Sequence, residues 1–126
     1  MSSEQHNQSG ALRSDDLSHA FLDSYQLALH KRVAELLLGS PDSILARARE
    51  NLTRWMHSGN FSGGEMAALQ EWANMLDRLP LHILIERMTD PSNEGQRIRQ
   101  SSPFIRILSR EESRRIREEC EKASVN

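Results

Sequence analysis

The fold is decided by the stretch SPDSILARARENLTRWMHSG, residues 40–59, which carries the local signals of an amphipathic helix. Ser40 stands at the expected cap, and Pro41 occupies the first helical position, where no backbone N–H is needed. Apolar residues then recur at steps of three and four, the spacing of one helix face. They are Ile44, Leu45, Ala48, Leu52, Trp55 and Met56. Gly59 is placed to end the helix, so the stretch predicts a helix with one buried face.

Similar patterns lie on both sides of this helix. Upstream, residues 14–38 carry an apolar stripe that ends at Gly39. Downstream, Ser62 and Glu65 have the spacing of a capping box, in front of a helix that extends to about residue 76. Shorter helices are predicted over residues 80–88, 92–100 and 109–122, and the first of these, apolar nearly all round, is expected at the centre of the fold. A strand there would have no second strand to pair with. The sequence therefore predicts an all-α protein, a compact bundle of five to six short helices.

The length of 126 residues suits one hydrophobic core. Residues 1–13, rich in Ser, Gln and Asn, are predicted to form a disordered N-terminal arm. Residues 14–122 are predicted to form a single helical domain, and residues 123–126 a disordered tail. Only 37% of the residues are hydrophobic and six are aromatic. So thin a core is typical of a protein that gains stability from a homodimer or a partner, although a marginal monomer fits as well.

Composition also bears on compartment and partner class. The net charge of −2 argues against a surface built wholly for nucleic acid, which requires an excess of basic residues. Cys120 is the only cysteine, so no internal disulfide can form and a reducing compartment is expected. Residues 1–10 lack the apolar run of a signal peptide, and no stretch approaches the ~20 apolar residues of a membrane span. The sequence predicts a cytoplasmic protein without a membrane partner.

The sequence contains no recognisable catalytic or metal-binding motif. Its five histidines lack the HExxH spacing, and no CxxC pair is present, so neither a metal nor another cofactor is expected. Gly63 and Gly64 fit a helix cap better than a phosphate-binding loop. Ser101 and Ser102 have no base at a recognisable spacing, and no nucleophile-elbow sequence surrounds them. We therefore expect a protein that is not an enzyme.

One strong electrostatic feature is present. Between Arg97 and Arg117 there are seven arginines against only Glu111 and Glu112. Phe104 lies within this segment, beside a proline. An aromatic residue flanked by arginines is typical of a binding hot spot. It is equally typical of a loop that folds back onto the helix over residues 80–88, and the sequence leaves both interpretations open.

LHKRVA spans residues 29–34, ARARENLTRW spans residues 46–55 and is followed by Glu71 and Trp72, and RIRQSSPF spans residues 97–104 and is followed by ILSREE at residues 107–112. Together these three pieces resemble a family of short bacterial antitoxins encoded beside nucleotidyltransferase-type toxins. The resemblance spans about two-thirds of the chain. It departs from the family near the end of the last helix, where the family tends to have an aromatic residue and this chain has Arg114, Arg115 and Ile116.

The resemblance implies an antitoxin that neutralises its cognate toxin enzyme by direct protein–protein binding. The arginines would pair with the carboxylates of the enzyme or occupy its phosphate subsite, while Phe104 would fill an apolar pocket. The predicted partner-binding residues are Arg97, Arg99, Gln100, Ser102, Phe104 and Arg106. The alternative is a small transcriptional regulator or nucleic-acid-binding accessory protein that uses the arginine-rich C-terminal segment. Nucleic acid would then be the partner, or a secondary partner of an antitoxin.

Overall fold

The computed structural model describes the backbone of residues 2–125 and the side chains of residues 19–123. Its helices are α1 (Ser2–Gly39), α2 (Pro41–Ser58), α3 (Gly63–Arg78), α4 (Leu81–Met88), α5 (Asn93–Arg99) and α6 (Arg110–Val125). No strand occurs over residues 2–125. The prediction of an all-α bundle is confirmed. The predicted disordered arm, residues 1–13, lies outside the part whose side chains are described, as does the predicted tail beyond residue 123.

Local capping explains where the helices begin and end. Pro41 opens α2 at its first helical position, although the Ser40 side chain makes no capping bond, and Gly59 ends α2 in a left-handed conformation with φ of 75°. At the start of α3, Ser62 Oγ accepts from the Glu65 N–H over 3.2 Å, while the Glu65 carboxylate accepts from the Ser62 N–H over 2.8 Å. The predicted capping box is therefore confirmed.

The core lies between α1, α2, α3 and the segment that follows α5. Long α1 contacts α2, α4, α5 and α6. Large side chains that are almost wholly buried include Val33, Leu37, Trp72, Leu84, Met88 and Phe104. Helices α1 to α5 and the segment after α5 all contribute buried apolar side chains to one cluster, which forms a single core, whereas no described side chain of α6 is buried.

The position predicted for α4 is wrong. Only Leu84 and Met88 of this helix are buried, and Ile83 and Ile85 are half-buried. Leu84 and Met88 stand four positions apart on one helix face, so α4 packs a single face against the core although its other faces are also apolar. The centre is filled instead by the segment after α5, in which Phe104 and Ile107 are buried.

Candidate binding surface

The Phe104 side chain lies inside the protein. Its exposed fraction is 1%, and its ring packs edge-on against Trp72 with centroids 5.8 Å apart. The Trp72 indole N–H in turn donates to the Ile98 carbonyl over 2.7 Å. The prediction that Phe104 fills a pocket on a partner is therefore wrong for this conformation, because the chain supplies that pocket itself. The loop folds back onto the core, where Phe104 lies in one buried cluster with Trp72 of α3 and with Leu84 and Met88 of α4.

Ser102 is also buried, and its partner is distant in sequence. Its hydroxyl lies 2.7 Å from His30 Nε2, and it accepts from the Phe104 N–H over 3.1 Å. The other ring nitrogen, His30 Nδ1, lies 2.7 Å from the Gln26 carbonyl, which can only accept. Nδ1 thus carries the hydrogen and Nε2 accepts from the Ser102 hydroxyl.

A serine paired with an oriented histidine has the composition of a nucleophile and its base. Here, however, Ser102 is 0% exposed and His30 is 1% exposed, so no substrate reaches the hydroxyl. Burial lowers the pKa of His30 to about 4, and the nearby Arg99 charge acts in the same direction, against the Gln26 hydrogen bond. A neutral imidazole therefore anchors this turn to α1. Ser102 is not available to a partner, contrary to the prediction.

Arg99 is the third predicted site residue that the fold encloses. Its exposed fraction is 1%, and its guanidinium donates to the carbonyls of Asp90 over 2.6 Å and Met88 over 3.3 Å. Burial lowers the pKa of Arg99, while the carboxylates of Asp90 and Asp23 act to raise it. The guanidinium ties the end of α4 to α5, and the prediction that it pairs with a partner is wrong.

Arg97 lies at the surface but is already engaged. It donates to Glu94 over 2.6 and 2.9 Å and to Glu71 over 2.8 and 3.1 Å. These bonds raise the pKa of Arg97, Glu94 having the larger effect, and they lower the pKa values of both carboxyl groups. A partner would have to replace both carboxylates before it could use this side chain.

Gln100 and Arg106 remain accessible. Both side chains are exposed, and neither makes a hydrogen bond or ion pair with any residue between 19 and 123. Of the six predicted site residues, these two are free to meet a partner without any change in the fold.

Arg106 lies at one end of a cationic groove of about 870 Å³, which we call the arginine groove. The side chains that define it are Tyr25, Ile105, Arg106, Arg110, Arg114 and Arg117. Glu111 is the one carboxylate that lines it. The last three arginines recur at steps of four and three along α6, so they share one face of that helix.

Most of the charge in the arginine groove is uncompensated. Among the described residues, Arg106, Arg110 and Arg114 have no carboxylate oxygen within 4.0 Å, whereas Arg117 pairs with Glu121 at 4.0 Å. Glu112, on the inner side of α6, is instead bonded to Arg32 of α1. The groove therefore presents guanidinium groups that no carboxylate of residues 19–123 neutralises.

A second cavity, of about 540 Å³, adjoins the arginine groove, and we call it the tryptophan pocket. Half-buried Trp55, Phe61 and Ile105 line it, with buried Leu69 among them. Its polar lining consists of Gln100, Ser101, Arg97, Arg106 and Glu65, of which Arg97 and Glu65 are engaged in bonds within the fold. Trp55 stands on the predicted buried face of α2, yet it is only half-buried, whereas Trp72 of α3 is 1% exposed.

Two features of this region were not predicted from the sequence. One is the shared helix face of Arg110, Arg114 and Arg117, and the other is the structural role of Asn51. The spacing of the three arginines on α6 was a usable signal for a charged helix face. No such signal existed for Asn51, which is buried and donates to the Pro103 carbonyl over 2.9 Å. This contact joins α2 to a turn 52 residues away.

Other kinds of site find little support in the described chain. Within it, no three His, Cys, Asp or Glu side chains are grouped closely enough to hold a metal ion. No helix among the described residues has the length and apolar character needed to span a bilayer. Cys120 is half-buried, and burial raises the pKa of its thiol, which disfavours the reactive thiolate.

Comparison of this chain with protein-family models, with curated proteins and with solved structures finds no match.

Proposed function

We propose that this chain is a cytoplasmic antitoxin of a bacterial toxin–antitoxin pair, which neutralises a nucleotidyltransferase-type toxin by direct protein–protein binding and catalyses no reaction itself. The observation that carries the proposal is the arginine groove, in which Arg106, Arg110 and Arg114 have no carboxylate partner among residues 19–123. Guanidinium groups bind carboxylate and phosphate with matched, often bidentate geometry. A nucleotidyltransferase offers such groups, because its metal-binding carboxylates and its nucleotide phosphates lie in one cleft.

The binding surface differs from the one that the sequence predicted. Gln100 and Arg106 keep their predicted role. Arg110, Arg114 and Arg117 take the place of residues that the fold engages, namely Arg97, Arg99, Ser102 and Phe104. The mechanism is unchanged: the antitoxin occupies the toxin cleft and excludes its substrate.

The test uses matched charge reversals. In the first variant Arg106, Arg110 and Arg114 are all changed to Glu. In the control, the exposed residues Arg47, Arg78 and Arg87 are changed in the same way, so the net charge of the two variants is equal. Each variant is co-expressed with the product of the neighbouring gene, which the proposal requires to be a nucleotidyltransferase-type toxin.

We expect the wild type and the control to restore growth, and the groove variant to fail. Its affinity for the purified toxin, measured by calorimetry, should fall by about 100-fold or more, since several charge pairs are lost together. Far-ultraviolet circular dichroism should show equal helical content in all three proteins. Neutralisation by the groove variant at wild-type level would contradict the proposal.

The same unpaired arginines favour one second candidate, a nucleic-acid-binding accessory protein or transcriptional regulator. A duplex bound through phosphate contacts would lose affinity steeply between ~50 and ~200 mM salt, because condensed counterions are released on binding. Against this function stands the net charge of −2, because the chain has no overall excess of basic residues to bind phosphates outside the groove. Fluorescence anisotropy with a labelled duplex separates the two candidates. The nucleic-acid-binding candidate requires tight binding of the duplex, which the groove variant loses and the control variant keeps.

A further inference from the structure

The arginine groove and the tryptophan pocket lie side by side. Ile105 and Arg106 line both cavities, so an extended ligand seated in one of them has the other within reach. Both residues belong to the segment after α5, which Phe104 and Ile107 fix to the core on either side. The relative position of the two cavities is therefore held by the fold.

The two halves of this surface differ in chemistry. In the tryptophan pocket, Trp55, Phe61 and Ile105 offer half-buried apolar surface, which gains free energy when an apolar side chain covers it. In the arginine groove, Arg110 and Arg114 offer charges without partners among the described residues. A ligand that matches both halves needs an apolar side chain and several negative charges close together.

We propose that this surface binds an acidic segment of a protein partner in which a bulky apolar side chain lies beside two or more carboxylates. The apolar side chain enters the tryptophan pocket, and the carboxylates pair with Arg106, Arg110 and Arg114. Exposed Gln100, whose amide has no partner among the described residues, bonds the backbone of the segment at the entrance to the pocket.

Charge complementarity favours a protein over the other occupants. A duplex would satisfy the arginines, but its bases are paired and stacked within it, so the apolar pocket would have no matching group. A single strand offers unpaired bases that stack on aromatic side chains, and the single-stranded DNA probe tests that occupant. A second copy of this chain would have to present an equivalent acidic segment. The inference rests on the proposed protein-binding function and adds the chemistry of the segment that is recognised.

The first experiment uses peptide probes and the full chain. Three labelled peptides are compared by fluorescence anisotropy: EEDLFG, which has both features, EEDSSG, which keeps only the acids, and KKKLFG, which keeps only the apolar pair. We expect EEDLFG to bind at least about tenfold more tightly than either of the others, a difference of about 1.4 kcal/mol. It should also change the fluorescence of Trp55, a change that a Trp55→Phe variant loses.

Two variants then locate the subsites. Gln100→Glu places a negative charge at the entrance to the pocket without touching the core, so it should weaken EEDLFG by about tenfold. The Arg47, Arg78 and Arg87 reversal should leave the binding unchanged. Equal affinity for EEDLFG and EEDSSG would overturn the proposal, as would a preference for single-stranded DNA of equal charge or a dimer of the chain that occludes both cavities.

The co-expression assay separates this inference from the function on which it rests. If the groove variant fails to neutralise the toxin while Gln100→Glu and Trp55→Ala neutralise it as well as the wild type does, the toxin is bound without the pocket. The inference is then overturned and the proposed function stands. If EEDLFG binds as expected but the chain does not bind the toxin, the segment chemistry stands and the proposed partner is wrong.

Discussion

His30 Nε2 and Ser102 Oγ lie 2.7 Å apart in the interior, although 72 residues separate them in the chain. The contact joins α1 to the turn before Phe104, whose own N–H donates to the same hydroxyl. The histidine is therefore part of the folded framework and not of a reactive site. Its burial makes the stability of the protein depend on pH.

Acid should begin to destabilise the protein near pH ~6.5, before most carboxylates take up protons. Folding lowers the pKa of His30 from 6.5 to about 4. Between these values the unfolded chain takes up a proton that the folded protein refuses, so the free energy of unfolding falls as the pH falls. The loss should be about 2 kcal/mol from pH ~7 to pH ~5, measured as the shift of the urea unfolding transition.

A His30→Gln variant is the control for this prediction, since it carries no titrating ring. Its stability should stay nearly constant over the same interval. Folding also lowers the pKa values of carboxyl groups, among them Glu71 and Asp90, whose ordinary values are 4.5 and 3.8. These groups therefore affect the stability mainly below pH ~5. If the wild type were equally stable at both pH values, the conclusion that folding keeps the buried His30 ring neutral would be refuted.

Replacing Ser102 by Ala should cost about 1–3 kcal/mol of unfolding free energy, because His30 Nε2 and the Phe104 N–H both lose their buried partner. The matched control is Ser101→Ala, since the Ser101 hydroxyl makes only a 3.5 Å bond to the Ile98 carbonyl at the surface of the same turn. Urea denaturation should place the control close to the wild type. Equal effects from the two substitutions would show that the buried hydrogen bonds are unimportant.

Replacement by Met should lower the stability of the protein strongly at Arg99 and very little at Arg97. The Arg99 variant leaves the buried carbonyls of Met88 and Asp90 without a donor and should lose about 3 kcal/mol or more of stability. The Arg97 variant loses only exposed ion pairs, which water and salt screen, and should change little. Thermal unfolding compares the two directly. A stable Arg99 variant would mean that this side chain is free for a partner after all.

Gly95 should tolerate no side chain. A Cβ atom there would lie against the Asp90 carbonyl oxygen and 2.7 Å from its carbonyl carbon, and both belong to backbone that Arg99 also holds. Gly95→Ala should therefore unfold at a clearly lower temperature than the wild type. At Gly63 an added Cβ meets nothing within 4 Å, so Gly63→Ala should be neutral or should stabilise by about 0.5 kcal/mol. Similar melting temperatures for the two variants would contradict the assigned close contact.

Local patterns predicted the helices well. The apolar spacing in residues 40–59 and the Ser62–Glu65 pair depend only on neighbours in sequence, and both have the predicted structure. The partner-binding residues were harder to predict, because their accessibility depends on where the side chains lie after folding. Arg99 and Arg106 stand seven positions apart in one basic segment, yet the first is enclosed by backbone carbonyls and the second is exposed.

The sequence by itself determined that this chain forms helices, where most of them are capped, and that its C-terminal third is rich in arginine. These features follow from backbone geometry, apolar spacing and composition, which act over a few residues. Only the tertiary structure decided which arginines are occupied and which are free. Contacts such as His30 with Ser102, Asn51 with Pro103 and Trp72 with Phe104 join distant parts of the chain. They turn Phe104 inward and leave Arg106, Arg110 and Arg114 at the surface, and no short-range pattern encodes that outcome.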